Sequence, residues 1–160
     1  MKKLVKKPKC CSNAEIAIFE ALVSKGGEVE LAGLQERILR AELLIFIYDN
    51  DDQTIAVGAI KNPNKGYKST IFEKSSASGQ ENYDFELGWL YVAETARSKG
   101  YGRILMELIC QQLTDKSCYA TTRENNTAMQ YLFNRFGFSK LGTPYKSRTG
   151  NHSLTLYVKE

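Results

Sequence analysis

The sequence predicts an α/β (α+β) fold in which a central mixed sheet, mostly antiparallel, is flanked by helices. Three observations predict it. Apolar residues recur at helical spacing over roughly the first forty residues, then give way to runs rich in β-branched and aromatic side chains. Two such runs, LLIFIYD and TIAVGAIKN, flank the polar NDDQ and read as a hairpin. From residue 84 the order becomes strand, helix, strand, helix, and that crossover makes one parallel pair in the middle of the sheet.

Each element has a local reason. KLVKK, residues 3–7, is a short edge strand. NAEIAIFEALVSKGG is a helix capped by Asn13, with Ile16, Phe19, Ala21 and Val23 among its apolar positions and Gly26–Gly27 to stop it. LAGLQERILRAE is a second helix through Leu31, Leu34, Ile38 and Leu39. The segment 62–83 exceeds what a hairpin connection needs, and Tyr67, Ile71 and Phe72 line one side of a short helix within it. DFELGWLYV is a strand, RSKGYG (residues 97–102) a glycine turn, and RILMELICQQL a helix with Ile104, Leu105, Leu108, Ile109 and Leu113 on one face. SCYATTR is a strand, NNTAMQYLFNRF a helix, and GFSKLGTPY with HSLTLYVKE a terminal pair of strands.

Length and composition narrow the function classes. With 160 residues, 42% hydrophobic and 25% charged, the chain is expected to form one globular domain over residues 1–160. No apolar run has the length of a membrane span, and the basic N-terminus lacks the apolar block of a signal peptide, so a cytoplasmic location is expected. The four cysteines lack the spacing of a zinc site and read as reduced thiols; with a single histidine, no metal is expected. Cys118 reads as packing and His152 as an ordinary strand-end group. Net charge is +4, and five lysines lie within the first nine residues, so residues 1–11 are expected to be a flexible, solvated basic tail. Elsewhere no basic stripe is interleaved with exposed aromatics, which argues against a nucleic-acid partner. The oligomeric state stays open, a homodimer included.

The chemistry concentrates where the fourth predicted strand meets the glycine turn. Side chains alternate along a strand, so Phe85, Leu87, Trp89 and Tyr91 form a core face. Asp84, Glu86, Gly88, Leu90 and Val92 form the other, which reads as a groove wall with a carboxylate at one end. Gly88 marks a bulge or a close approach. The turn opens a helix, whose N-terminal amides and dipole favour anions; a phosphate cradle is the physical reading. Glu86 to Val92 spans about 20 Å at strand rise. A long, thin ligand with phosphates at one end and a reactive group at the other matches that length, and coenzyme A has that outline.

Glu86–Leu–Gly–Trp–Leu–Tyr–Val92, followed by Arg97–x–x–Gly100–x–Gly102, resembles the strand and acyl-coenzyme A loop of the GNAT N-acetyltransferase superfamily. The downstream TTRENNTAMQYLFNRFGF is similar to that family's next strand and helix, where an asparagine opens the helix and Gly-Phe closes it. Asn126, Gly137 and Phe138 match. The resemblance is specific over residues 84–142 and looser before them. It implies a GNAT-like fold and direct transfer of an acetyl group from acetyl-coenzyme A to a primary amine of a small molecule or peptide. It further implies that Leu90 supplies an oxyanion-binding N–H, while Tyr91 and Val92 offer main-chain contacts to the pantetheine. Gly100, Tyr101, Gly102 and Arg103 would offer amides to the pyrophosphate, with charge added by Arg97 and Lys99. Asn126 and Phe133 would lie beside the coenzyme.

An alkylamine is mostly protonated at neutral pH and needs a base before it can attack. Glu86 stands eleven residues before Arg97, the spacing at which some family members place that base, with Asp84 in reserve. One departure concerns the acid. Many relatives carry a tyrosine seven residues after the asparagine to protonate the leaving thiolate, and here that position is Phe133. Tyr131, about 200° away around the helix, is the nearest candidate. Tyr145, Tyr119 or water are the others. The missing tyrosine also motivates an alternative, a non-catalytic acyl-coenzyme A-binding regulatory domain. The acceptor pocket falls to the first two helices, the 62–83 insertion and the terminal strands.

Overall fold

A computed structural model describes residues 1–160. In chain order the elements are β1 (Lys2–Lys6), α1 (Asn13–Lys25), α2 (Leu34–Leu39), β2 (Leu43–Tyr48), β3 (Thr54–Lys61), α3 (Lys65–Lys74) and β4 (Phe85–Val92). There follow α4 (Tyr101–Gln112), β5 (Cys118–Arg123), α5 (Thr127–Arg135), β6 (Ser139–Lys140), β7 (Tyr145–Lys146) and β8 (Ser153–Lys159). The chain divides into two compact units, Met1–Lys61 with Gly88–Gln112 and Asn62–Leu87 with Leu113–Glu160.

In the first unit the strands run in the order β1-β2-β3-β4, with β1, β2 and β3 successively antiparallel. The edge strand read at residues 3–7 is present, whereas the expected flexible tail over residues 1–11 does not hold. Lys2–Lys6 pairs residue for residue with β2 from Lys2↔Tyr48 to Lys6↔Leu44, and Pro8 is buried after it. Lysines on this outer strand remain exposed at Lys2 and Lys3, which blunts the edge. Helix α1 starts at Asn13, but its cap is Ser12. The Ser12 hydroxyl accepts from Glu15 N–H at 3.1 Å, and Ser12 N–H donates to Glu15 Oε1 at 2.8 Å, a reciprocal capping box. Helix α2 is shorter than the apolar spacing predicts. It begins after Gly33, whose φ is 72°, and leaves Leu31 exposed outside it.

The core of this unit is almost purely hydrocarbon. Phe19 of α1 is fully buried, edge-on to Phe46 at 5.6 Å and to Trp89 at 6.1 Å. Each such ring contributes about 1.5–3 kcal/mol by leaving water. Leu105, Met106 and Ile109 are the buried stripe of α4; the spacing predicted Leu105 and Ile109 but not Met106, and the predicted Ile104 and Leu108 are half-buried. The tightest approach in this unit is at Gly58. A β-carbon there would lie 2.8 Å from Leu90 Cδ2 and 3.4 Å from Ile109 Cδ1, so only glycine admits them.

The second unit orders its strands β4-β5-β8-β6, with β7 also on β8. The predicted parallel pair is present, with Phe85↔Cys118 and Glu86↔Tyr119; β8 runs antiparallel along all of β5. Neighbouring side chains face opposite ways, so Tyr119 and Val158 pack with Ile71 and Phe72 of α3. Tyr157 instead meets Phe133 of α5 at 4.9 Å, and Phe133 meets Phe138 at 5.2 Å. The 62–83 insertion is therefore built into this unit. Ile71 and Phe72 are buried, Lys68 Nζ donates to Tyr83 O at 2.9 Å, and Ser75 O accepts from Thr143 N–H at 2.8 Å.

Candidate active site

The glycine turn of the first unit has the backbone that an anion site needs. Ser98 and Gly100 are both left-handed, with φ of 61° and 84°. They swing the chain from strand to helix within a few residues. The first bond of α4 closes from Ile104 N–H to Gly100 O at 3.2 Å, so the amides before it are those a helix start leaves pointing outward. A β-carbon on Gly100 would meet nothing within 4 Å, so conformation, not crowding, selects glycine.

The two predicted cations brace this turn. Arg97 Nε donates to Val92 O at 3.1 Å, and its guanidinium lies 5.7 Å from the Tyr91 ring centre. Lys99 Nζ reaches Thr95 O at 3.3 Å, while Arg103 pairs with Glu107 at 2.9 Å, one helical turn on. These are exposed contacts, and their charge still lies beside the helix start.

In β4 the expected regular alternation breaks. Trp89, a bulky residue, has φ of 53°, a strained conformation that interrupts the pleat. The predicted close approach at Gly88 is milder than that at Gly58: the stem of Lys61 lies 3.0 Å from where a β-carbon would sit, and its ammonium is 4.5 Å from the Trp89 ring centre. Trp89 and Tyr91 pack on the α1 cluster, whereas Leu90, half-buried, lies beside Gly58.

In the second unit Glu86 is only 3% exposed, whereas Asp84 is on the surface. Tyr67, from α3, donates its hydroxyl to Glu86 Oε2 at 3.3 Å. Burial first, then the Glu86 charge, pushes the Tyr119 phenol far above its ordinary range. The same two causes push Tyr145 up to about 12, against a hydrogen bond from Thr121 that pulls it back. Both phenols therefore stay protonated at neutral pH. The Tyr119 hydroxyl is buried and without a hydrogen-bond partner in the protein. Three tyrosines from α3, β5 and β7 thus converge on one carboxylate. Sequence reasoning placed Tyr67 on a helix face without connecting it to Glu86. Its partner lies nineteen residues away, beyond the reach of helical spacing.

Three other predicted residues fall elsewhere. Asn126 is the cap of α5, accepting from Met129 N–H at 3.0 Å. Phe133 is 2% exposed inside the Phe138–Tyr157 cluster, which leaves no face for a coenzyme wall. Tyr131, the candidate acid, is 62% exposed, its hydroxyl accepting from Arg135 at 3.3 Å. His152 lines a separate cavity of about 350 Å³ with Glu124, Asn125, Asn151 and Ser153. No helix is long and apolar enough to cross a membrane.

Comparison with known proteins bears on these features. The profile of the acetyltransferase (GNAT) family matches residues 14–138. No curated protein sequence matches the chain. Among solved structures, Escherichia coli ElaA superposes with a TM-score of 0.73 at 17% identity, covering 99% of both chains. An acyl-CoA N-acyltransferase from Pseudomonas aeruginosa gives 0.74 at 15% identity over 100% of each chain. The ribosomal-protein-S18-alanine N-acetyltransferase from Escherichia coli gives 0.68 at 12%, covering 99% of this chain and 93% of that one.

Proposed function

Because this chain belongs to the GNAT acetyltransferase family, and is by that membership an acyl-coenzyme A N-acyltransferase, we propose that it moves an acetyl group from acetyl-coenzyme A to a primary amine of a small molecule or peptide. It does so as one catalytic domain over residues 1–160. The observation that carries this reading is the buried Glu86 carboxylate with Tyr67 donating to it, on the strand that leads into the turn. Glu86 takes the proton of the acceptor ammonium. Leu90 N–H faces the thioester oxygen, Tyr91 and Val92 contact the pantetheine through their main chain, and the amides of Gly100, Tyr101, Gly102 and Arg103 hold the pyrophosphate. Arg97 and Lys99 supply charge at that end, and Asn126 orients the start of α5.

Acetyl-coenzyme A supplies the activated acyl group, and the turn fits its phosphates because left-handed Gly100 leaves the helix-start amides open. The outward-turned Tyr131 and the packed Phe133 give the leaving thiolate no donor from α5, so water serves that role. The test is coenzyme A release from acetyl-coenzyme A against a panel of amines, with a no-amine blank. Release above the blank for at least one amine is expected. Calorimetry showing no association with acetyl-coenzyme A overturns the reading.

A further inference from the structure

Gly88 is the one residue of β4 without a side chain, and its backbone is not left-handed, so conformation does not ask for glycine there. What asks for it is Lys61, the last residue of β3. The three atoms nearest to where a β-carbon would sit are Lys61 Cδ at 3.0 Å, Nζ at 3.7 Å and Cε at 3.9 Å. The lysine stem thus crosses over residue 88 and sets its ammonium 4.5 Å from the ring centre of Trp89. Phe19 meets the same ring edge-on at 6.1 Å. All of these residues lie in the first unit. Of the five non-glycine residues with positive φ, Trp89 alone is bulky; the others are aspartates and serines. Left-handed strain of this kind disfavours a conformer about 5- to 150-fold, so it persists only where neighbours over-determine it. A cation over an aromatic face returns about 2- to 30-fold. Lys61 therefore offsets a large share of the strain, and packing of the ring on the α1 cluster supplies the rest.

The peptide unit joining Trp89 to Leu90 is planar, so the backbone dihedrals of Trp89 aim the Leu90 N–H. Resting on the transferase reading above, in which that N–H meets the thioester oxygen, we infer that Lys61 is a positioning residue for the acyl group. Its ammonium clamps the Trp89 ring, the clamped ring keeps residue 89 left-handed, and that backbone keeps the Leu90 N–H on its target. Lys61 itself touches no reacting atom. Return of Trp89 to an extended φ of about −120° would turn the peptide through roughly half a circle and carry the donor away. The amides of the turn at Gly100–Arg103 are set by their own left-handed glycine, and their hold on the pyrophosphate does not pass through residue 89. Recognition of the acyl oxygen and affinity for the coenzyme are thereby separable.

The experiment is calorimetric titration of the full chain with acetyl-coenzyme A and with S-ethyl-coenzyme A, which keeps the length of the acyl arm and lacks its oxygen. The ratio of the two affinities reads the hydrogen bond to that oxygen and needs no amine. Wild type should prefer acetyl-coenzyme A about 2- to 10-fold, the worth of one neutral bond. Lys61→Met keeps the stem and drops the charge; it should bring the preference down toward one while S-ethyl-coenzyme A affinity holds. Lys61→Arg returns a cation to the ring and should restore the preference. Gly88→Ala reaches the same contact from the strand, because its methyl presses on the Lys61 stem, and it decides if Lys61→Met does not fold. Tryptophan emission adds a signature of the clamp, since the chain has a single tryptophan. It should change in Lys61→Met and recover in Lys61→Arg. A preference left intact in folded Lys61→Met overturns the assignment, as does unchanged emission. So does an equal loss of affinity for both ligands, which marks a structural role, or a wild-type ratio of one. Wild-type protein still binds the coenzyme in each of those outcomes, so they leave the transferase reading standing. Failure of wild type to bind either ligand removes that reading and this assignment with it.

Discussion

The two compact units differ in what they bury. Unit one, Met1–Lys61 with Gly88–Gln112, has an interior of leucine, isoleucine, valine, alanine and aromatic rings. Unit two contains every buried polar or charged residue of the chain: Ser75, Glu86, Thr122 and Thr155. It also contains every buried side-chain hydroxyl that lacks a protein partner, those of Ser75, Tyr119, Thr155 and Tyr157. Burying unmatched polar groups costs stability, so a fold keeps them where they do chemistry or meet a ligand. The contrast is between an apolar interior in one unit and unmatched buried polar groups in the other.

The largest test of that contrast is Glu86→Gln. Acetyl transfer to the best amine should fall about 10²- to 10⁴-fold, the range for loss of a general base, with the melting temperature nearly unchanged. A stable, active variant would make Glu86 structural and erase the difference. Next is Phe19→Ala in unit one, which should cost about 3–5 kcal/mol in denaturant unfolding while coenzyme A affinity of the folded fraction holds. A loss of affinity there without a loss of stability would count against that contrast. Gly100→Ala separates strain from packing. The new methyl meets nothing, yet the left-handed backbone costs about 1–2 kcal/mol and should weaken coenzyme A binding measured by calorimetry.

Ser12→Ala removes a cap in unit one and should cost about 1 kcal/mol at neutral pH. Its pH dependence sharpens the point. The Ser12 backbone bond, then Lys6, hold the Glu15 carboxyl below its usual range. That contribution is fully present above the ordinary carboxylate pKa and is lost as pH falls through the depressed folded one. The residue-12 N–H and Lys6 remain in the variant, so both proteins should lose it in parallel in acid melts, and the gap between them should persist. Smallest at neutral pH is Tyr145→Phe. In the folded protein its phenol is raised to about 12, so its contribution is complete below the ordinary value of 10 and is lost as pH climbs toward 12. Alkaline unfolding curves of the variant should be flatter over that window.

Much of this was legible in residue order alone. The 43–61 hairpin, the parallel pair around a crossover helix and the stripe Leu105–Ile109 all follow from short-range periodicity, which acts within a few residues of itself. The turn was equally plain, because glycine at the mouth of an apolar helix has few local readings. The cap of α1 was readable too: Ser12 with Glu15 three residues on is the box signature, although Asn13 also satisfied the simpler rule.

What folding in three dimensions added are the meetings between distant segments. The edge strand at KLVKK was readable, but its partner, residues 44–48, was supplied only by folding. Gly58 is more crowded than Gly88, since Leu90 and α4 press on it, and the tightest glycine is Gly142, where a β-carbon would run into Ser75 O. Phe133 is core because Phe138 and Tyr157 close over it. Above all, Tyr67 reaches Glu86 through a helix that sequence spacing could predict but not aim. Local chemistry sets which elements form, through forces that act along the chain. Which side chains share a site depends on long-range packing, and that is decided only when the elements dock.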